Sequence, residues 1–208
     1  MYIKKILLLI SLIGLIILSI FSYFVYVTMF VSNTNFNNDI AYVYIYTDQT
    51  FEQLKQDLNP VLKNINSFER LAIRKGYDVK LKPGKFAIKK GMNNNDIINS
   101  IRSNNIPIKV SFNNQNSIED LAGRIAFQID ADSSSLVKAM KDSVFFKQTG
   151  FIDKTALGMY IPNSYEVFWN TDAEGFRDRM LKEYNRFWTD TRMAKATALG
   201  LNRDEVMT

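Results

Sequence analysis

The chain has 208 residues, a formal charge of +5, no cysteine and no histidine. The two absences exclude Ser-His-Asp and Cys-His nucleophile systems, the usual zinc ligand sets and any disulfide framework, which leaves catalysis to carboxylates, lysine, tyrosine or backbone groups. The basic residues are spread along the chain and do not interleave with aromatics, so no nucleic-acid partner, metal or cofactor is expected.

Residues 6–31, ILLLISLIGLIILSIFSYFVYVTMFV, carry no charge. At about 1.5 Å per residue this stretch crosses a hydrocarbon layer of about 30 Å. A cleaved signal peptide has a shorter apolar core and a small-x-small exit. Here the exit holds Tyr23, Phe24, Tyr26 and Phe30, an aromatic interface belt. Lys4 and Lys5 precede the span, so positive-inside logic predicts a single-pass inner (plasma) membrane protein. Residues 1–5 are its cytoplasmic tip, and the bulk of the chain is periplasmic or otherwise extracytoplasmic. A cytoplasmic domain on a reversed anchor would require that rule to fail.

The polar, Asn-rich segment 32–39 reads as a spacer, and AYVYIYT after it alternates like a strand. Thr50 and Gln53 form a capping box for FEQLKQDL, a helix that should stop near Asn59 because Pro60 follows. A second helix carries Leu62, Ile65, Phe68, Leu71 and Ala72 and ends at a Gly76 cap. KPGKFAIKKGM reads as turn, strand, turn; Asn93 with Asp96 starts a helix burying Ile97, Ile98 and Ile101; and IPIKVSF is a strand. The chain then turns mainly helical. Asn116 with Glu119 starts a helix whose buried face is Ile118, Leu121, Ala122, Ile125 and Ile129, and Asp132 opens another through Met140. Thr171 with Glu174 caps a long helix with Phe176, Met180, Phe187 and Trp188 inward. Asn202 with Glu205 announces a helix with barely two turns before Thr208, too short to be stable alone, which reads as a domain cut inside a longer reading frame. The expected class is α+β: membrane helix 6–31, spacer 32–39, a small α+β module over 40–112, and a mainly helical, incomplete domain over 113–208.

The segment ALGMYIPNSYEVFWNTD, 156–172, stands apart. Tyr160, Tyr165, Phe168 and Trp169 surround Asn163 and Glu166, offering rings for the C–H faces of sugars and polar groups for their hydroxyls. A carboxyl beside Trp169 in a partly dry cleft would favour its neutral, acid form. Aromatic-rich runs are more often packing than sites, so the rings read also as core with Glu166 a solvated neighbour, and both readings stay open here. Glu52, Asp57, Glu119, Asp120, Glu174 and Glu183 fall in first turns or on polar helix faces, where capping and solubility account for them.

Two stretches, KPGKFAIKKGMNNNDIINSIR and GMYIPNSYEVFW, resemble the MltG/YceG-like endolytic murein transglycosylases, and the likeness in segment order covers nearly the whole chain. In the second and more specific stretch, Gly158, Pro162, Asn163 and Tyr165 match the family signature, and Ser164 replaces its usual Thr. Leu157 stands where many members carry Glu, so no role of that Glu transfers. The resemblance implies that the module over 40–112 is LysM-like and that 113–208 begins the catalytic domain. It implies a membrane-anchored lyase acting on nascent peptidoglycan glycan strands, leaving 1,6-anhydro-MurNAc ends and so terminating strand elongation. One glutamate protonates the glycosidic oxygen and then takes the proton of the sugar's own 6-hydroxyl. That acid is expected a few residues past Thr208, on the helix starting at NRDEVMT, so these residues alone are expected to be inactive. Tyr160, Asn163, Tyr165 and Glu166 are the candidate substrate-binding residues, with glycan strands and the membrane as partners and peptidoglycan synthases as candidates. The other reading is a non-catalytic anchored glycan-binding or scaffold protein of envelope assembly.

Overall fold

A computed structural model describes residues 2–207, so Met1, in the expected cytoplasmic tip, and Thr208 lie outside it. The chain is mixed α and β, and it divides into compact units of 1–105 and 106–208.

The first unit opens with helix α1, Tyr2–Phe30, which is long and apolar enough to cross a membrane and has only Thr28 buried. Strand β1 (Ile40–Ile45) pairs antiparallel with β2 (Gly84–Lys89), with Val43 opposite Phe86 and Ala41 opposite Ile88. Between them lie helices α2 (Phe51–Leu58) and α3 (Ile65–Arg74), and α4 (Asn94–Ser103) comes after β2. The inner faces of β1 and β2 close on Leu54, Leu58, Phe68, Leu71, Ile97, Ile98 and Ile101, all buried.

The predicted caps form here. Thr50 and Gln53 make a reciprocal capping box, and Asn93 accepts the Asp96 N–H. Each such cap stabilises its helix by about 1 kcal/mol. The α3 helix ends in a Schellman turn: Gly76 adopts φ 62°, its N–H reaches Ile73 O, and the Tyr77 N–H reaches Ala72 O. Leu62, expected on that helix, precedes it and is buried just ahead of the Asn64 cap.

Segment 32–39 differs from the free spacer expected. Ser32 bridges to Asn93 and Thr34 to Leu62, and Asn33 and Thr34 are buried. Asn33 Nδ2 donates to Asn94 Oδ1 (2.6 Å) and Asn64 O (3.0 Å), while its Oδ1 accepts the Asn64 N–H (2.8 Å). Asn94 Nδ2 in turn donates to Thr28 O at 2.7 Å. Asn33 thus belongs to a buried amide network joining the end of α1 to α3 and α4, while Asn35, Asn37, Asn38 and Asp39 stay exposed.

In the second unit, β3 (Pro107–Phe112) pairs antiparallel with β4 (Asn163–Phe168), Val110 opposite Tyr165 and Lys109 opposite Glu166. Strand β3 was expected to close the module ending at 112; its hydrogen-bond partner is β4, so it belongs to the second unit instead. Helices α5 (Ile118–Ala126), α6 (Ser133–Met140), α7 (Ser143–Thr149), α8 (Ala173–Phe187), α9 (Asp190–Ala198) and α10 (Arg203–Met207) complete the unit. The core joins Val110, Phe112, Leu121, Ile125, Met140, Tyr165, Phe176 and Met180.

Two caps fall one residue later than predicted. Ser117, not Asn116, accepts the Asp120 N–H, and Asp172, not Thr171, accepts the Gly175 N–H. Asn and Ser cap about equally well, so burial of Ile118 and Leu121 decides the first register; Asp outranks Thr in the second. Phe187, expected inward, is only partly buried, and Tyr184 takes that place at 3% exposure. Asn202 and Glu205 exchange the hydrogen bonds of the predicted capping box.

Candidate functional site

A cleft of about 270 Å³ opens in the second unit between the end of β3, the segment before β4, and α10. Its first wall grows from β3. After Phe112 the chain leaves the ribbon as Asn113–Asn114–Gln115, all at the cleft, and the Gln115 Nε2 group donates to Asn113 Oδ1 at 2.7 Å. Its second wall is the 3-10 turn Ala156–Met159 and the residues up to Pro162, which place Leu157, Gly158, Tyr160 and Pro162 against the same space. Lys154 supplies a cation and Met207 closes the third side from α10.

Gly158 explains how α10 comes so near. A Cβ there would lie 3.2 Å from Met207 Cβ, tighter than most such contacts, so α10 would have to give by a few tenths of an ångström. Glycine thus serves the close approach of α10 rather than any need for backbone freedom. Amides, one cation and apolar side chains line the cleft, an apolar pocket with a few placed polar groups of the kind that orient ligands.

The four predicted residues separate. Tyr160 lines the cleft, yet it is 4% exposed and belongs to the core, and its Oη has no hydrogen-bond partner among the described residues. Burial, opposed by the Arg177 charge and assisted by Asp178, pushes its phenol far above the ordinary value, so the hydroxyl stays protonated. Tyr165 sits beneath the cleft, its ring stacked on Phe112 at 5.7 Å and its hydroxyl donating to Ile161 O. Its phenol is also raised, by burial first and then by Glu183. That hydrogen bond fixes the turn before β4, so Tyr165 shapes the wall from below.

Asn163 is exposed at the head of β4, opposite Phe112, with Oδ1 accepting the Ser164 N–H at 2.8 Å. Glu166 is exposed and lies across from Lys109 on the outer face of the ribbon. Side chains alternate along a strand, so Tyr165 and Val167 point inward while Ser164, Glu166 and Phe168 point out. Glu166 is therefore not brought together with Tyr160 and Tyr165. Trp169, expected to dry the surroundings of Glu166, is buried at 8% exposure just past the strand.

Sequence reasoning missed the Asn113–Gln115 wall, Lys154 and Met207. A run of three amide side chains directly after a strand was a usable signal; Met207 was not, because its proximity depends on the fold. A second hollow, about 790 Å³, lies beside α8 and α9 with Tyr184, Asn185 and Asn202 on its walls, but holds none of the signature residues. Among the described residues no cluster of acidic side chains could hold a metal ion.

The model of the YceG-like family matches residues 43–208. The crystal structure of a Listeria monocytogenes protein described as YceG-like is 17% identical, with a TM-score of 0.42, covering 79% of this chain. The chain spans 60% of that protein's length. No curated protein matches it. With the family match running from β1 through the cleft to the end of α10, the chain belongs to the YceG-like family.

Proposed function

We propose that the whole protein is a membrane-anchored endolytic transglycosylase that cuts nascent peptidoglycan glycan strands and leaves 1,6-anhydro-MurNAc ends. The observation that carries this reading is the cleft. The signature residues Gly158 and Pro162 line it together with Tyr160, and α10, the helix on which the family's glutamate is expected further along, forms its third side. An acid carried on that helix would enter a space already walled by amides and rings. In the reading, Asn113 and Gln115 bind sugar hydroxyls and N-acetyl groups, Asn163 extends the rim, and Tyr165 holds the wall in place. The glutamate donates to the glycosidic oxygen and then accepts the 6-hydroxyl proton, so the sugar supplies its own nucleophile and water is not consumed. Glu166 faces outward and is assigned no part in the proton transfer.

The membrane helix α1 supports a site held close to newly made strands, with the two units outside the cytoplasm. The order β1–α2–α3–β2, two helices between two antiparallel strands, supports a LysM-like module that holds neighbouring N-acetyl sugars.

The test is digestion of uncrosslinked glycan strands by the whole protein, followed by mass analysis of the ends. Anhydro ends are expected, and Asn163→Ala should lower turnover while leaving the unfolding temperature unchanged. Binding of strands without new ends would instead favour an anchored glycan-binding protein.

A further inference from the structure

We propose that the first unit carries a lipid-docking face: the C-terminal end of α3 and the turn after it rest in the anionic headgroup layer of the bilayer that α1 spans. The inference rests on the membrane-anchor reading above and adds the surface by which the folded body meets lipid.

Helix α3 runs antiparallel to α1, and its register is fixed at two points. Ser67 Oγ accepts from Asn94 Nδ2 at 3.0 Å, and the same amide donates to Thr28 O. One turn further along α3, the Arg70 guanidinium covers the Phe24 ring at 5.3 Å, one turn back along α1. Beyond Arg70, α3 runs on to Arg74 in the direction of the N-terminal half of α1.

The bilayer sets the other scale. A layer of about 30 Å needs about 20 helical residues, so a span beginning at Ile6 ends near Tyr26. Lys4 and Lys5 prevent the helix from sliding further outward without burying charge. Phe24 thus lies at the interface, and Arg70 with it. The end of α3 then faces the lipid surface, within reach of phosphate for its long cations.

The chemistry of this end matches that position. Arg70, Arg74, Lys80 and Lys82 are exposed there, against the single acid Asp78. The turn closed by the Lys80 N–H to Tyr77 O presents Val79 at 84% exposure, and Ile73 on α3 is 52% exposed. Apolar tips flanked by cations suit shallow insertion beneath phosphate groups at an anionic surface. Lys75 is not counted, because its ammonium is held by Asn95 and Asn99.

The absence of native cysteine makes single labels unambiguous. The chain is reconstituted into vesicles of phosphatidylcholine with or without phosphatidylglycerol, bearing an environment-sensitive fluorophore at V79C, K63C or S11C. Headgroup-spin-labelled lipid should quench the label at 79 more than that at 63, whose backbone pairs with Asn33 beyond the end of α1. The quenching at 79 should rise about twofold with phosphatidylglycerol and lose that gain near 1 M salt, where the Debye length is about 3 Å. Arg70, Arg74, Lys80 and Lys82 all changed to Gln should lose the gain as well. Equal quenching at 79 and 63, or a signal at 79 indifferent to lipid charge, overturns the proposal while the label at 11 remains quenched by acyl-chain spin labels. Failure of that last quenching removes the membrane span itself, and the docking face with it.

Discussion

Replacing Asn33 with Ala tests whether the amide network holds the first unit together. The substitution removes the donor to Asn94 Oδ1, the donor to Asn64 O and the acceptor of the Asn64 N–H. Asn94 is 1% exposed, so its oxygen is left buried and unpaired, a cost of about 1–3 kcal/mol. The Asn64 groups are partly exposed and recover most of their loss from water, adding at most about 1 kcal/mol. A total of about 1–4 kcal/mol corresponds, at about 4–8 °C per kcal/mol, to a fall of roughly 4–32 °C in Tm for a unit of this size. Thermal unfolding in micelles followed by circular dichroism gives the magnitude. Trp169 and Trp188 both lie in the second unit, so tryptophan fluorescence serves as an internal reference that should not move. Hydrogen exchange should rise in the peptides of α3 and α4. An Asn33→Ala chain within about 0.5 kcal/mol of the parent refutes the network's structural role, as does simple additivity with Asn94→Ala.

Gly158→Ala should push α10 away by a few tenths of an ångström, raising exchange over 203–207 and lowering activity of the whole protein with little change in Tm; unchanged exchange there counts against the close approach. Tyr160→Phe deletes a buried hydroxyl with no partner among the described residues and should leave stability equal or up to about 1 kcal/mol higher; a loss of more than that would reveal a partner. In the second unit, Glu119 is held below its ordinary value of 4.5, mainly by a hydrogen bond from Lys141, and Asp132 below 3.8, mainly by Ser134. Depressed carboxylates contribute stability that is present above the unfolded values and lost as pH falls through the folded ones. Urea midpoints measured from pH 5 downward should therefore decline, and Glu119→Gln with Asp132→Asn should flatten that decline; an unaltered slope would place the acid sensitivity elsewhere.

Much of the fold could be read from the residues because it is locally encoded. The Thr50 box, the Asn93 and Asp132 caps, the Gly76 turn and the spacing of Leu121, Ala122 and Ile125 are each set within one or two turns of chain. What escaped depends on pairing at a distance. NSYEVF alternates as a strand should, but its aromatic density drew attention to the rings, and its partner β3 lies more than fifty residues earlier. Helix α9 buries only Ala196 and shows no apolar stripe to find, and α7 is too short for a period. The candidate site was half legible. The signature residues Gly158 and Pro162 do line the cleft, whereas adjacency in sequence suggested that Glu166 joins Tyr165, and strand alternation sends them to opposite faces.

The buried junction at Thr28, Asn33 and Asn94 leaves no swivel between α1 and the body it carries. Inserting one residue into α1 just before that junction would turn the first unit by about 100° and lift it by about 1.5 Å. Rotation of α1 about its own axis thus becomes rotation of the folded body joined to it, and the aim of that body is set by how one apolar rod is keyed.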